Sequence, residues 1–208
     1  MELIDILPSD IEKESFRIIQ EELDKMGKVI PDDIRQTVLR AIHTTADFDY
    51  ADTLTFSENA VEIAKKAIKN GAHIVTDTNM ALSGINKKTL AKYGGEVHCF
   101  MADRDVMSIS KERGVTRAVV SMEKAAELNV PLIFAIGNAP TALVRLKELI
   151  DEGKLRPELI IGVPVGFVNV VEAKEMILET DVPYIVNRGR KGGSNVAAAI
   201  CNSILYNI

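Results

Sequence analysis

Arg40 and His43 stand three residues apart in the segment Arg40-Ala41-Ile42-His43-Thr44-Thr45. On a helix that spacing puts a fixed positive charge and an imidazole on neighbouring turns of one face. Imidazole is the side chain that ordinarily changes charge nearest neutrality, so His43 is available as a general acid and base. A guanidinium beside it disfavours a second positive charge until a carboxylate neutralises the first, which would tie the charging of His43 to the arrival of an acidic ligand. Ser15-Phe16-Arg17, early in a predicted helix, adds a hydroxyl and another guanidinium. Spacing alone leaves His43 one histidine among three, and a helical arginine is most often a solvated surface charge. His73 falls in a predicted strand and His98 in a weaker one, without metal-ligand spacing, so no metal site is expected.

Three loop segments suit anions: Thr76-Asp77-Thr78-Asn79-Met80, Ile136-Gly137-Asn138-Ala139-Pro140-Thr141 and Asn187-Arg188-Gly189-Arg190-Lys191-Gly192-Gly193-Ser194. Each follows a predicted strand, and the second and third open a helix, where backbone N–H groups and glycine let a phosphate or carboxylate approach. Thr76, Asp77, Asn138, Thr141 and Arg188 are therefore candidate binding residues, with Arg117 a further one. Neither the phosphate-loop spacing nor a G-x-G-x-x-G after a strand is present, so anion binding is better supported than nucleotide binding. Cys99 and Cys201 lack an activating partner and a C-x-x-C pairing, which argues against a thiol nucleophile.

These residues must be held by a core, and the chain can build one: 208 residues, 47% of them hydrophobic, but only 5% aromatic and no tryptophan. Ile, Val, Ala and Leu in short runs suit buried strands alternating with alanine-rich helices. A net charge of −5 argues against a general nucleic-acid binder, so an anionic ligand would have to be met by local positive charge. No basic-then-apolar leader and no run approaching a membrane span stands out, and two isolated cysteines suit a reducing setting, so a cytoplasmic protein is expected.

Periodicity places an amphipathic helix from Ile11 to Gly27 on Phe16, Ile19, Leu23 and Met26, a second from about Asp32 to His43, and a third from Ser57, as its cap, to Asn70. Strands are predicted at Ala72–Val75, Leu132–Ala135, Leu159–Gly162 and Pro183–Val186, with a weaker one at Glu96–Phe100. Helices intervene at 87–92, 105–113, 116–128, 139–152, 170–179 and 194–205. The expected fold is α/β: a single domain over 1–208, with a mainly parallel sheet, helices on both faces and an N-terminal helical segment. Ligands of such sheets sit beyond the carboxyl ends of the strands.

The sequence resembles the precorrin-8X methylmutases, including the cobalt-precorrin-8 methylmutases, over essentially its whole length. Besides the segments around Ser15, His43, Asp77 and Asn138, the resemblance rests on Gly162-Val163-Pro164-Val165-Gly166-Phe167-Val168 and on Arg188-Gly189. It implies an isomerase of corrin (vitamin B12) biosynthesis that moves a methyl group from ring carbon C-11 to C-12 with no external methyl donor. His43 would be the proton donor and acceptor, and Ser15, Arg17 and Arg40 would lie around the substrate. It further implies a homodimer acting on a tetrapyrrole-derived polycarboxylate, with no cofactor of its own, any cobalt being carried by the substrate. Two other readings stay open on the residues: a protein that only retains the ring, and an unrelated nucleotide-dependent α/β enzyme.

Overall fold

The computed structural model describes Leu7 and residues 10–208. The first two amphipathic patterns form α1 (Ile11–Lys25) and α2 (Asp32–Thr45). Pro31 precedes α2, and Asp32 and Asp33 sit in its first turn, where carboxylates oppose the positive end of the helix dipole. Its end is abrupt. Ala46 takes a left-handed conformation (φ 53°) and returns its N–H to the Ile42 carbonyl, so the chain turns away three residues after His43.

The remaining elements follow as α3 (Tyr50–Thr53), β1 (Leu54–Phe56), α4 (Ala60–Lys69), β2 (His73–Thr76), α5 (Asn79–Gly84), α6 (Lys87–Ala91) and β3 (Val97–His98). Then come α7 (Arg104–Arg113), α8 (Arg117–Ala126), β4 (Leu132–Ile136), α9 (Pro140–Asp151), β5 (Leu159–Gly162), α10 (Val170–Leu178), β6 (Tyr184–Asn187) and α11 (Ser194–Leu205). The six strands lie in the order β1-β6-β5-β4-β2-β3, parallel except for β1.

Strand alternation divides the core. Ile74, Ile133, Ala135, Ile161 and Ile185 face one layer with α1, α2, α4 and α11. Val75, Phe134, Ile136, Ile160 and Val186 face the opposite layer with α8, α9 and α10. No helix among the described residues is long and apolar enough to cross a membrane.

The expected α/β fold with its N-terminal helical segment is what forms, with an additional antiparallel edge strand, β1, and two further differences. Ser57 does not cap a helix. Its N–H donates to the Tyr184 carbonyl (3.0 Å) and its hydroxyl accepts from Tyr184 N (2.9 Å), extending the antiparallel pairing of β1 with β6. The helix begins instead after Asn59, which is left-handed at φ 55°. The second difference is that the loop after β2 also opens a helix, the short α5, whose first turn is capped by the Thr78 hydroxyl accepting from Ala81 N (3.1 Å).

Candidate functional site

α2 packs its Val38, Leu39, Ala41 and Ile42 into the core and turns Arg40 and His43 outward. The His43 imidazole is exposed, and Phe16 of α1 meets it edge-on with ring centroids 5.4 Å apart. The same phenyl ring lies under the Arg40 guanidinium, 4.8 Å from centroid to Cζ, and Tyr206 flanks that guanidinium at 5.5 Å. His43 and Ser15 border an open, largely apolar cavity of about 360 Å³ floored by Ile18, Ile19, Ile42 and Phe48. On the α11 side of α2, Arg40, Thr44, Asn195, Asn202 and Tyr206 border a second cavity of about 280 Å³. Ser15 donates its hydroxyl to the Ile11 carbonyl (2.9 Å), which leaves the oxygen free to accept.

Three candidate residues, Ser15, Arg40 and His43, therefore lie close together, while Arg17 borders neither cavity. Their charges are arranged differently from expectation, however. Arg40 does not face His43 as an uncompensated cation, because Glu12 of α1 pairs with its guanidinium. The gate of like charge read from the spacing is thus already neutralised by the protein's own carboxylate, which lay outside any helix-face comparison because it belongs to a different helix. Arg17 is likewise held, by Glu14 (2.8 Å from Nε) and Glu21. The buried Nε–H of Arg40 has no acceptor among the described residues.

The strand-end loops are a different matter. Asp77 is buried, and its two carboxylate oxygens accept from the backbone N–H groups of Gly137 (2.9 Å), Asn138 (2.8 Å) and Ala139 (2.6 Å). Burial pushes its carboxyl above the ordinary value while those donors pull the other way. The helix start at α9 is thus an anion site, but its anion is Asp77. Gly137 shows how tightly the loops close: a Cβ there would lie 2.6 Å from Ser194 Cα. Thr78 and Ser194 join the same contact through their hydroxyls (2.8 Å). Thr76 is fully buried and donates to the Thr78 and His98 carbonyls, at 3.1 and 3.2 Å.

Other candidates lie away from His43. Arg117 donates to the Met101 carbonyl (3.1 Å), and Thr141 pairs with Thr116 (2.9 Å), both on the α8–α9 side of the sheet. Asn138 is exposed at the strand-end edge. Arg188 is tied to Glu175 of α10 at 2.6 and 3.0 Å. Within one chain the structure gathers the α1–α2 residues but not these.

Lys174, which no motif singled out, holds the basic loop 188–193 from below. Its fully buried ammonium donates to the Gly189 (2.7 Å) and Lys191 (2.8 Å) carbonyls, and burial pushes it down to about 8 from an ordinary 10.5. Between those two values the unfolded chain binds this proton and the native chain does not, so the group's contribution to stability rises with pH across that window. Urea unfolding of wild type and Lys174→Met at several pH values should give a difference that grows in wild type's favour from about pH 8 to 10.5. A difference independent of pH would contradict the assignment.

His73 and His98, apart in sequence, become neighbours through the parallel pairing of β2 and β3 (Val75 opposite His98), with Nδ1 of His73 2.8 Å from Nε2 of His98. Sequence spacing shows no metal-ligand pattern for these histidines, and their adjacency comes from the strand pairing. Burial pushes both thiols up, that of Cys201 to about 12.

The sequence model of a family described as "CbiC: Precorrin-8X methylmutase" matches residues 10–207. The chain is 44% identical to the cobalt-precorrin-8 methylmutase of Priestia megaterium, over 96% of its own length and 88% of that protein's. It is 38% identical to the precorrin-8X methylmutase of Pseudomonas aeruginosa, over 93% of each. Among solved structures, a precorrin-8X methylmutase from Thermus thermophilus superposes with a TM-score of 0.85 at 40% identity, covering 95% of this chain and 96% of that one.

Proposed function

The chain belongs to the precorrin-8X methylmutase family and has methylmutase-type activity, and from that premise we propose that it moves a methyl group from C-11 to C-12 of precorrin-8 or its cobalt complex, with His43 carrying the proton. The observation that carries the proton role is local. His43 is the exposed imidazole at the rim of the apolar cavity, and Phe16 touches both it and Arg40. An apolar floor suits the flat face of a macrocycle, and the surrounding cations suit its acetate and propionate arms.

In this reading His43 protonates the conjugated ring system, which withdraws electron density and lowers the barrier to migration, and then recovers the proton once the methyl group has settled on C-12. Proton and methyl group both stay within the complex, so no donor or redox partner is consumed. Substrate carboxylates reach Arg40 and Arg17 by displacing Glu12, Glu14 and Glu21, exchanging one carboxylate for another rather than filling an empty charge.

The full ring is larger than the cavity beside His43, and Arg117 and Thr141 lie on the far side of the sheet. We therefore place the substrate between two copies of the chain in a homodimer, where a second chain adds cations that one chain cannot bring to His43. Any cobalt arrives inside the ring.

Arg40→Ala should weaken binding of the cobyrinate or hydrogenobyrinate product by about tenfold or more, the loss of one charged hydrogen-bonding partner. Equilibrium titration followed by absorbance measures this, and unchanged affinity would remove Arg40 from the site. The same titration with a nucleotide in place of the corrinoid separates this reading from a nucleotide-dependent enzyme: tight nucleotide binding without corrinoid binding would overturn it.

A further inference from the structure

The histidine pair at the sheet edge belongs to a larger donor set that the methyl transfer does not use. β2 and β3 pair in parallel with Ile74 opposite Val97 and Val75 opposite His98. Continuing that register sets His73 opposite Glu96, one residue before the paired segment of β3. Because side chains alternate along strands, His73, Glu96 and His98 then project from the same face of the sheet. Their nitrogen and carboxylate oxygen atoms lie within 4.8 Å of one another. The two histidines are half-buried and the glutamate is exposed, so the set has a supported base and an open side.

We propose that His73, Glu96 and His98 bind one divalent transition-metal ion of the zinc class, which pins the short edge strand β3 to β2. Two imidazoles and a carboxylate are the borderline donors such ions select, whereas magnesium and calcium favour oxygen. The distances are close to what the ion needs. Nitrogens bound to one tetrahedral ion at 2.0–2.1 Å stand about 3.3 Å apart, and the pair now stands at 2.8 Å. Widening it by about half an ångström and turning the rings about χ2 brings both lone pairs and the Glu96 carboxylate to one point.

The rings lie nearly parallel, 13° apart, and His98 stacks on Phe100 at 5.7 Å, so β3 and the residues after it already fix one ligand. At present one ring nitrogen donates a proton to the other. Metal binding moves that proton to the far nitrogen of the same ring, so two neutral imidazoles coordinate and no proton is lost. The fourth position falls to water on the open side.

The placement suggests a staple rather than a reaction centre. β3 has two residues and one neighbouring strand, and His43 belongs to the helical layer on the opposite face of the sheet from Val75. A link across β2 and β3 holds an edge that hydrogen bonding alone secures weakly.

The test is calorimetric titration of Zn2+ into the full-length, tag-free, chelator-treated protein, with Co2+ absorption as a second probe and Mg2+ as a control. One Zn2+ per chain is expected, together with a rise in Tm on adding Zn2+. Glu96→Gln changes only an exposed side chain and should weaken binding at least about tenfold, and His73→Gln/His98→Gln should abolish it. Absence of saturable binding to the wild type, or equal affinity in Glu96→Gln, would overturn the proposal and leave the two histidines as a hydrogen-bonded pair.

Discussion

His43→Ala is expected to slow methyl migration by about 10²- to 10⁴-fold while leaving the affinity for the corrin product within a few-fold of wild type. The asymmetry follows from position. His43 sits at the rim of its cavity, and the apolar floor of Ile18, Ile19, Ile42 and Phe48 and the cations Arg17 and Arg40 remain when the imidazole is removed. Ring binding should therefore persist while proton transfer fails. His43 is exposed and lies outside the core, so the variant should fold, and circular dichroism with a thermal melt provides the control. A parallel loss of turnover and binding would make His43 a binding residue and leave the proton without a carrier.

Asp77→Ala should be the most destabilising single substitution in the strand-end loops, costing on the order of 3–5 kcal/mol by urea unfolding. Its carboxylate is the partner of three consecutive N–H groups at the start of α9, and Gly137 and Ala139 there are buried, so no water replaces it readily. Asp77→Asn should cost less, since the amide keeps one acceptor but turns an NH2 toward donors. A loss below about 1 kcal/mol in the alanine variant would mean that the N–H groups find another partner, reopening this loop as a ligand site.

The contrast between Asp77 and His43 shows what could be read in advance. Parallel strands announce themselves as short apolar runs, which is why β2, β4, β5 and β6 were legible. Leu54-Thr55-Phe56 was not, because three residues carry too little pattern and depend on pairing with Ile185–Asn187 far along the chain. The helix face carrying Arg40 and His43 follows from periodicity within one element. Glu12 opposite Arg40 required the packing of α1 on α2, a contact between elements that spacing does not encode.

The strand-end glycines and amides were read as suited to an anionic ligand. What the sequence concealed was that the anion is internal, supplied by a neighbouring strand once β2 and β4 lie side by side. The pairing of His73 with His98 and the burial of Lys174 beneath the basic loop were hidden in the same way, each depending on tertiary packing.

The most direct test of the proposed reaction follows the methyl group itself. Substrate carrying a 13C-labelled methyl at C-11, in metal-free and cobalt-bound forms, is incubated with the purified protein without any added methyl donor, and the product is examined by 13C NMR. Conversion of at least one form is expected, with the label retained in full and attached to C-12. No conversion of either form, or a product whose C-12 methyl lacks the label, would contradict the proposed reaction.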